Sequence, residues 1–178
     1  GRVTWRTVHI DAQESRRWCI IVDDLDGDGK LEGALSGNDY GMEVATGRYD
    51  AFNGLVLKGD GKGGFKPLSI LQSGLYIPGD GKGLVKLRSA KGNYLLAATQ
   101  NRDAMKLFEL NRRVKTVALQ PLDAFAVVKY KNGKITRQEF YNGSSFLSQS
   151  ARFFNIESNM ASVTITDNFG HQRTVPLN

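Results

Sequence analysis

The chain has 178 residues, which suits one domain or two small ones, and hydrophobic residues make up 40% of it, enough for a packed core. No run approaches the roughly eighteen apolar residues of a membrane-spanning helix. The formal net charge is +6, and a single cysteine, Cys19, excludes an internal disulfide. In chain order, residues 1–18 are polar and hold no apolar h-region of a secretory signal. From there the pattern is β. Runs rich in Val, Ile, Leu, Phe and Tyr fall at 18–22, 31–36, 54–58, 84–87, 94–98, 125–130, 135–141 and 162–166, bounded by Gly, Asn, Asp and Ser. Cys19 lies in the first of them, "WCIIV", as a buried and inert thiol. "DAMKLFEL" (103–110) has a spacing that also fits a turn or two of helix, but its β neighbours favour a strand. "YKNGKI" (130–135) predicts a hairpin with Asn132-Gly133 in a type I′ turn. "VTITDNFGHQRTV" (163–175) predicts a second one, turning at 167–170.

"VDDLDGDGKLEG" (22–33) crowds Asp24, Asp26, Asp28 and Glu32 together in a basic chain. Like charges that close repel unless a cation sits among them. Counted from Asp24, the carboxylates occupy positions 1, 3, 5 and 9, with Gly29 at position 6. An EF-hand loop needs a bidentate Glu at position 12, where this chain has Leu35, and it needs flanking helices where this chain predicts strands. The spacing still suits calcium, which takes six to eight oxygen ligands. Alternate residues of a tight loop turn their oxygens inward, and the backbone carbonyl of Lys30 adds another donor. Magnesium prefers a tighter, wetter octahedron, and zinc prefers His or Cys. The plainer alternative is a solvated acidic turn.

The motif D-x-D-G-D-G-x-x-[DE] between two strands resembles the calcium loop of FG-GAP or VCBS repeats, the blades of integrin-α-like β-propellers. "IIVDDLDGDGKLEGALSGN" followed by "GLVLKGDGKGGFKPL" is similar to one such blade. The resemblance implies Asp24, Asp26, Asp28, Lys30 (through its carbonyl) and Glu32 as calcium ligands. "GLVKLRSAKGNYLLAATQN" (83–101) aligns with 19–38 strand for strand as an eroded copy. Arg88 and Lys91 stand where acids are needed, so no metal is expected there. The period of about sixty residues implies blades of four strands each. "YNGSSFLSQSARFF" (141–154) resembles the signature of the ASPIC and UnbV domain, a β module that follows FG-GAP propellers in cartilage acidic protein-like secreted proteins. The match weakens beyond it, where "FFNIESNM" and "TITDNFG" replace the usual pieces. Ser148, Gln149 and Ser150 read as structural hydrogen-bonding residues ahead of ligand-binding ones. The expected organisation is therefore all-β: about two antiparallel propeller-type blades over 1–111, then a small β module over 112–178. Two blades are too few to close a propeller, so the remaining blades of a longer chain are expected.

Other patterns carry less. "GDGKGG" (59–64) satisfies G-x-G-x-x-G, but that fingerprint needs a helix after it and strands lie on both sides here. "GDGKG" (79–83) repeats the same turn chemistry. His9 and His171 suggest neither a metal site nor a triad, and no G-x-S-x-G occurs. No acid–base or nucleophile constellation stands out, so an enzyme is not expected. The stretch 82–137 is basic, but solvated strand faces explain it better than a nucleic-acid partner does. The polar insertion 39–53 carries Tyr40, Met42, Arg48, Tyr49 and Phe52. Aromatics and Arg are enriched at binding hot spots, so Tyr40, Arg48 and Tyr49 are the candidate partner-binding residues. The opposing reading folds Tyr49 and Phe52 back over the sheet. The resemblance implies a secreted or cell-surface, calcium-stabilised binding or adhesion module whose partner is an extracellular protein or glycan. The alternative is a glycan-binding accessory domain of a cell-surface polysaccharide-processing or uptake system, using Trp5, Tyr40, Tyr49 and Tyr76.

Overall fold

The computed structural model describes residues 6–144 and 148–177; Trp5, and Ser145, Phe146 and Leu147 of the 141–154 run, lie outside them. The protein is all-β and antiparallel. After a 3-10 turn at Ile10–Ala12, strands β1 (Arg17–Asp23), β2 (Glu32–Gly37), β3 (Leu55–Gly59) and β4 (Phe65–Leu68) form a four-stranded meander in that order. Strand alternation sorts its two faces. Cys19, Ile21, Ala34 and Val56 turn toward the second sheet, where they meet Leu84, Leu96 and Ala98. Leu35, Leu55 and Leu57 turn the other way, against Ala12 and Phe52. With both faces covered, β2 is buried along its whole length.

A single helical turn, α1 (Ile70–Ser73), follows. Ser69 and Gln72 cap it reciprocally and Gly74 closes it in the left-handed region, a capping-box pattern present in the sequence but not predicted from it. The second sheet is β5 (Gly81–Arg88), β6 (Tyr94–Gln100) and β7 (Asp103–Glu109). The ambiguous 103–110 stretch is thus a strand.

Four strands were expected in this second unit, and it has three. Leu110 and Val114 turn into the core between the sheets, while Val117 packs on the second core. The chain is drawn away from β7, and β8 (Lys115–Ala118) pairs instead with β11 (Phe153–Ile156), Val117 opposite Phe154. The last sheet has the order β10 (Ile135–Glu139), β9 (Asp123–Tyr130), β12 (Met160–Asp167), β13 (Gln172–Val175). Its core is Ala126, Val128, Phe154, Ile156, Met160, Val163, Ile165 and Val175.

The predicted hairpin at 130–135 forms, but not through a type I′ turn. Gly133 N–H donates to Tyr130 O at 2.9 Å, Tyr130 N–H donates to Lys134 O at 2.8 Å, and only Gly133 has positive φ. That is a three-residue loop with glycine at the left-handed position. The same pattern recurs at 167–171 and at 89–93. The run at 59–64 is the β3–β4 connection, and 79–83 leads straight into β5; no helix follows either one.

Candidate metal centre

Strand β1 ends at Asp23, paired with Glu32 at the start of β2, and residues 24–31 bridge the two. The bridge folds on its own carboxylates. Asp24 is buried and turned inward, its Oδ1 accepting the Gly27 N–H at 2.6 Å and its Oδ2 the Gly29 N–H at 3.0 Å. Both glycines have φ above +80°, which a side chain would strain. Asp26 Oδ1 accepts from Asp28 N–H, and Asp28 Oδ1 from Lys30 N–H, at 3.0 and 2.9 Å. The alternation read from the sequence thus becomes a ladder of side-chain-to-backbone bonds. It brings one carboxylate oxygen each of Asp24, Asp26 and Asp28 to within 4.8 Å of one another, a group that can hold a metal ion.

Glu32 is not part of that close trio but lies beneath the loop, 2% exposed. Its Oε2 accepts from Leu25 N–H at 2.9 Å, whereas its buried Oε1 has no partner. Burial pushes its pKa up, and the charges of Asp26 and Asp28 push the same way. Lysines occupy the outer rim. Lys58 Nζ lies 2.5 Å from Asp26 Oδ2 and 3.5 Å from Asp28 Oδ2, and Lys30 Nζ lies 3.0 Å from Asp28 Oδ2. The hydrogen bond from Lys30 holds the Asp28 carboxyl below its ordinary value, and that to Asp26 raises Lys58.

A ring of residues invisible to motif reading surrounds the loop. Arg112 donates to the carbonyls of Asp24 and Leu25 at 2.6 and 3.2 Å. Asp23 accepts from Lys86 Nζ, Tyr94 Oη and Asn155 Nδ2 at 3.0, 3.0 and 3.2 Å, tying β1 to the second sheet and to β11. Burial, then Asp23, drives the Tyr94 hydroxyl far up. Burial also raises Glu157, and the charge of Asp24 adds to it.

At the eroded copy, residues 89–93 make the tight three-residue hairpin described above, and Arg88 and Lys91 are exposed beside it.

The insertion 39–53 is closed at its base by Asn38. Its side chain donates to Phe52 O and Gly79 O and accepts from Phe52 N–H, at 2.6, 3.0 and 3.0 Å. Asp39 and Tyr49 exchange backbone hydrogen bonds of 2.9 and 3.0 Å. The two readings of this segment divide between residues. Phe52 folds back into the core, while Tyr49 and Arg48 stay exposed. Tyr40 is half-buried, its hydroxyl donating to Pro78 O at 3.3 Å, and the Arg48 guanidinium stands 5.0 Å from its ring. In the 141–154 run, Ser150 Oγ accepts from Lys86 N–H of β5 and Gln149 Nε2 donates to Ser150 O, so both side chains bind backbone.

Compared with protein families, curated proteins and solved structures, the chain matches none. Among the described residues no helix is long and apolar enough to cross a membrane.

Proposed function

We propose that the protein is a non-enzymatic, calcium-stabilised binding module of the FG-GAP/VCBS kind, acting outside the cell or on its surface. The observation that carries this reading is the convergence of Asp24, Asp26 and Asp28 above a buried Glu32 whose Oε1 lacks a partner. The donor set is entirely oxygen, which suits calcium and not zinc. Asp24, Asp26, Asp28 and Glu32 would hold the ion, with the Lys30 carbonyl as a further donor. The orphaned oxygen would then gain the cation it lacks. An ion held within one strand-to-strand loop secures that loop, and affinity in the range of extracellular modules, roughly 0.1–1 mM, is expected.

Recognition is assigned to the exposed part of the 39–53 insertion, through Tyr40, Arg48 and Tyr49, toward an extracellular protein or glycan. The glycan version draws on the exposure of Tyr49 and Tyr76. Calorimetry with calcium tests the metal. About one site per chain is expected, abolished by Asp26→Ala, and a hundredfold excess over Kd should add about 2.7 kcal/mol of stability. An unchanged melting temperature in EDTA and in calcium, together with no binding heat, would leave only a lysine-neutralised acidic turn. A glycan array run on Tyr49→Ala beside the native chain separates the two kinds of partner.

A further inference from the structure

We propose that the open hollow between the 89–93 turn and the linker from β7 to β8 binds a sulfated glycan. Such binding needs no ion at the carboxylate loop and no contact from the 39–53 insertion. The hollow, about 1080 Å³, is lined by Lys91, Arg112, Arg113 and Lys115 against one acid, Glu109. Arg112 donates to the carbonyls of Asp24 and Leu25, so its guanidinium is already committed to the carboxylate loop. Glu109 is engaged by the Asn93 side chain. Lys91 and Arg113 are exposed, and neither makes a hydrogen bond or ion pair among the described residues. Arg88 adds a third such cation at the rim: a Cβ on Gly92, which lines the hollow, would lie 3.5 Å from its Nη2.

A second observation concerns the backbone. Asn111, Arg112 and Arg113 belong to no strand, and their N–H groups find no acceptor among the described residues. The Asn111 carboxamide is exposed and likewise has no partner there. Cationic and neutral donors thus stand together in one hollow, without the paired acids that neutralise Lys30, Lys58, Lys82 and Lys86 elsewhere.

These donors select the ligand. Ammonium and guanidinium groups pair with sulfate, carboxylate or phosphate oxygens, the guanidinium through two parallel bonds. Nucleic acid would bring phosphates and also bases, but no lining residue is aromatic, so the bases would find no surface to stack on. An acidic peptide would bring carboxylates but few hydroxyls for the Asn111 amide. A carboxylated glycan spaces its anions a ring or more apart, too sparsely for the cations of Arg88, Lys91 and Arg113 around a single hollow. A sulfated glycan crowds anions and hydroxyls onto the same rings.

The probe is a fluorescein-labelled heparin hexasaccharide, titrated with the full chain and followed by anisotropy. Saturable, salt-dependent binding is expected, and it should be lost with the desulfated hexasaccharide. Lys91→Glu combined with Arg113→Glu should weaken binding about tenfold or more and lower the slope of log Kd against log salt by about two, since each ionic contact releases counterions. The charge-matched control, Lys129→Glu combined with Lys134→Glu, reverses two exposed lysines of the last sheet and its hairpin, and should stay within about threefold of the native chain. Should the first pair fail to fold, Lys91→Ala combined with Arg113→Ala decides, with a loss of about fivefold expected. The proposal is overturned by no saturation up to about 0.1 mM protein, by the paired reversal having no effect, or by the control losing as much as that reversal. It is equally overturned if the desulfated hexasaccharide, an oligogalacturonate, an oligoglutamate or a duplex DNA of equal charge binds at least as tightly.

Discussion

Asp24 and Glu32 hold the 24–31 loop from inside, and Asp26 and Asp28 form its solvent-facing rim. The rim is occupied by the Lys58 ammonium, 2.5 Å from Asp26. A divalent ion entering there competes with a single charge already in place, at a site exposed enough for the attraction to be modest. Lys58→Met should therefore tighten calcium binding, by about three- to tenfold, in a calorimetric titration. An affinity unchanged or weakened would show that the lysine supports the loop and does not compete for it. The three aspartates were legible because carboxylates and glycines in alternation encode the loop within one short stretch. Asp23, Arg112, Asn155 and Glu157 were not. Nothing in the spacing of residue 23 announces that Tyr94 and Asn155 will donate to it, since those contacts exist only after three sheets have come together.

At the scale of elements, the hairpin turns at 89–93, 130–134 and 167–171 follow one rule: a left-handed glycine in the third loop position. Gly133 and Gly170 have φ of +83° and +87°, and a Cβ on either would meet nothing within 4 Å. Alanine at these two positions thus isolates backbone strain from crowding, and each substitution should cost about 1–2 kcal/mol in chemical denaturation. A neutral result would mean that the turn relaxes to another type. The β3–β4 turn adds a pH dependence. Asp60 Oδ1 accepts from Lys62 and Gly64 N–H, and these bonds hold its carboxyl below the ordinary aspartate value. The support it gives is complete above that ordinary value and is lost as pH falls through the lowered, folded one. Amide shifts of Lys62 and Gly64 should report that acid titration, and Asp60→Asn, which keeps an acceptor, should abolish it; titration persisting in the variant would assign it to another group. Most strands were readable from alternation between glycines. β4 came from the blade pattern, as the strand after 59–64, and not from alternation, because "FKPL" is short and contains a proline, tolerable only at an edge. β8 and β11 were missed because their pairing joins segments far apart in the chain.

In the molecule as a whole, the basic stretch 82–137 that stood out in the sequence is partly spent indoors. Lys82 pairs with Asp39 and Asp80, Lys86 with Asp23, and Arg112 with Asp24 of the carboxylate loop. Two of the hydrophobic clusters meet at β11, where Phe153 faces one and Phe154 the other. Leu84 sits at 0% exposure where the first and second sheets touch. Leu84→Ala should cost about 2–5 kcal/mol. Because β11 buries Phe154 and Ile156 in the core of the last sheet while Phe153 and Asn155 engage the first core and Asp23, unfolding should remain one transition in calorimetry; two resolved transitions would show that the last sheet folds separately. The paired turns of the first two sheets have a further implication. β1–β2 and β5–β6 are the same kind of antiparallel ribbon, yet one is joined by the carboxylate loop 24–31 and the other by the plain turn 89–93. Both linkers close the same antiparallel pairing, although the first also supplies the Leu25 N–H to the buried Glu32. Transplanting Ser-Ala-Lys-Gly-Asn into the first ribbon would therefore leave the strand pairing standing while deleting the charge cluster in a single exchange. In this architecture the capacity to gather carboxylates around a cation is thus confined to a single turn of one ribbon.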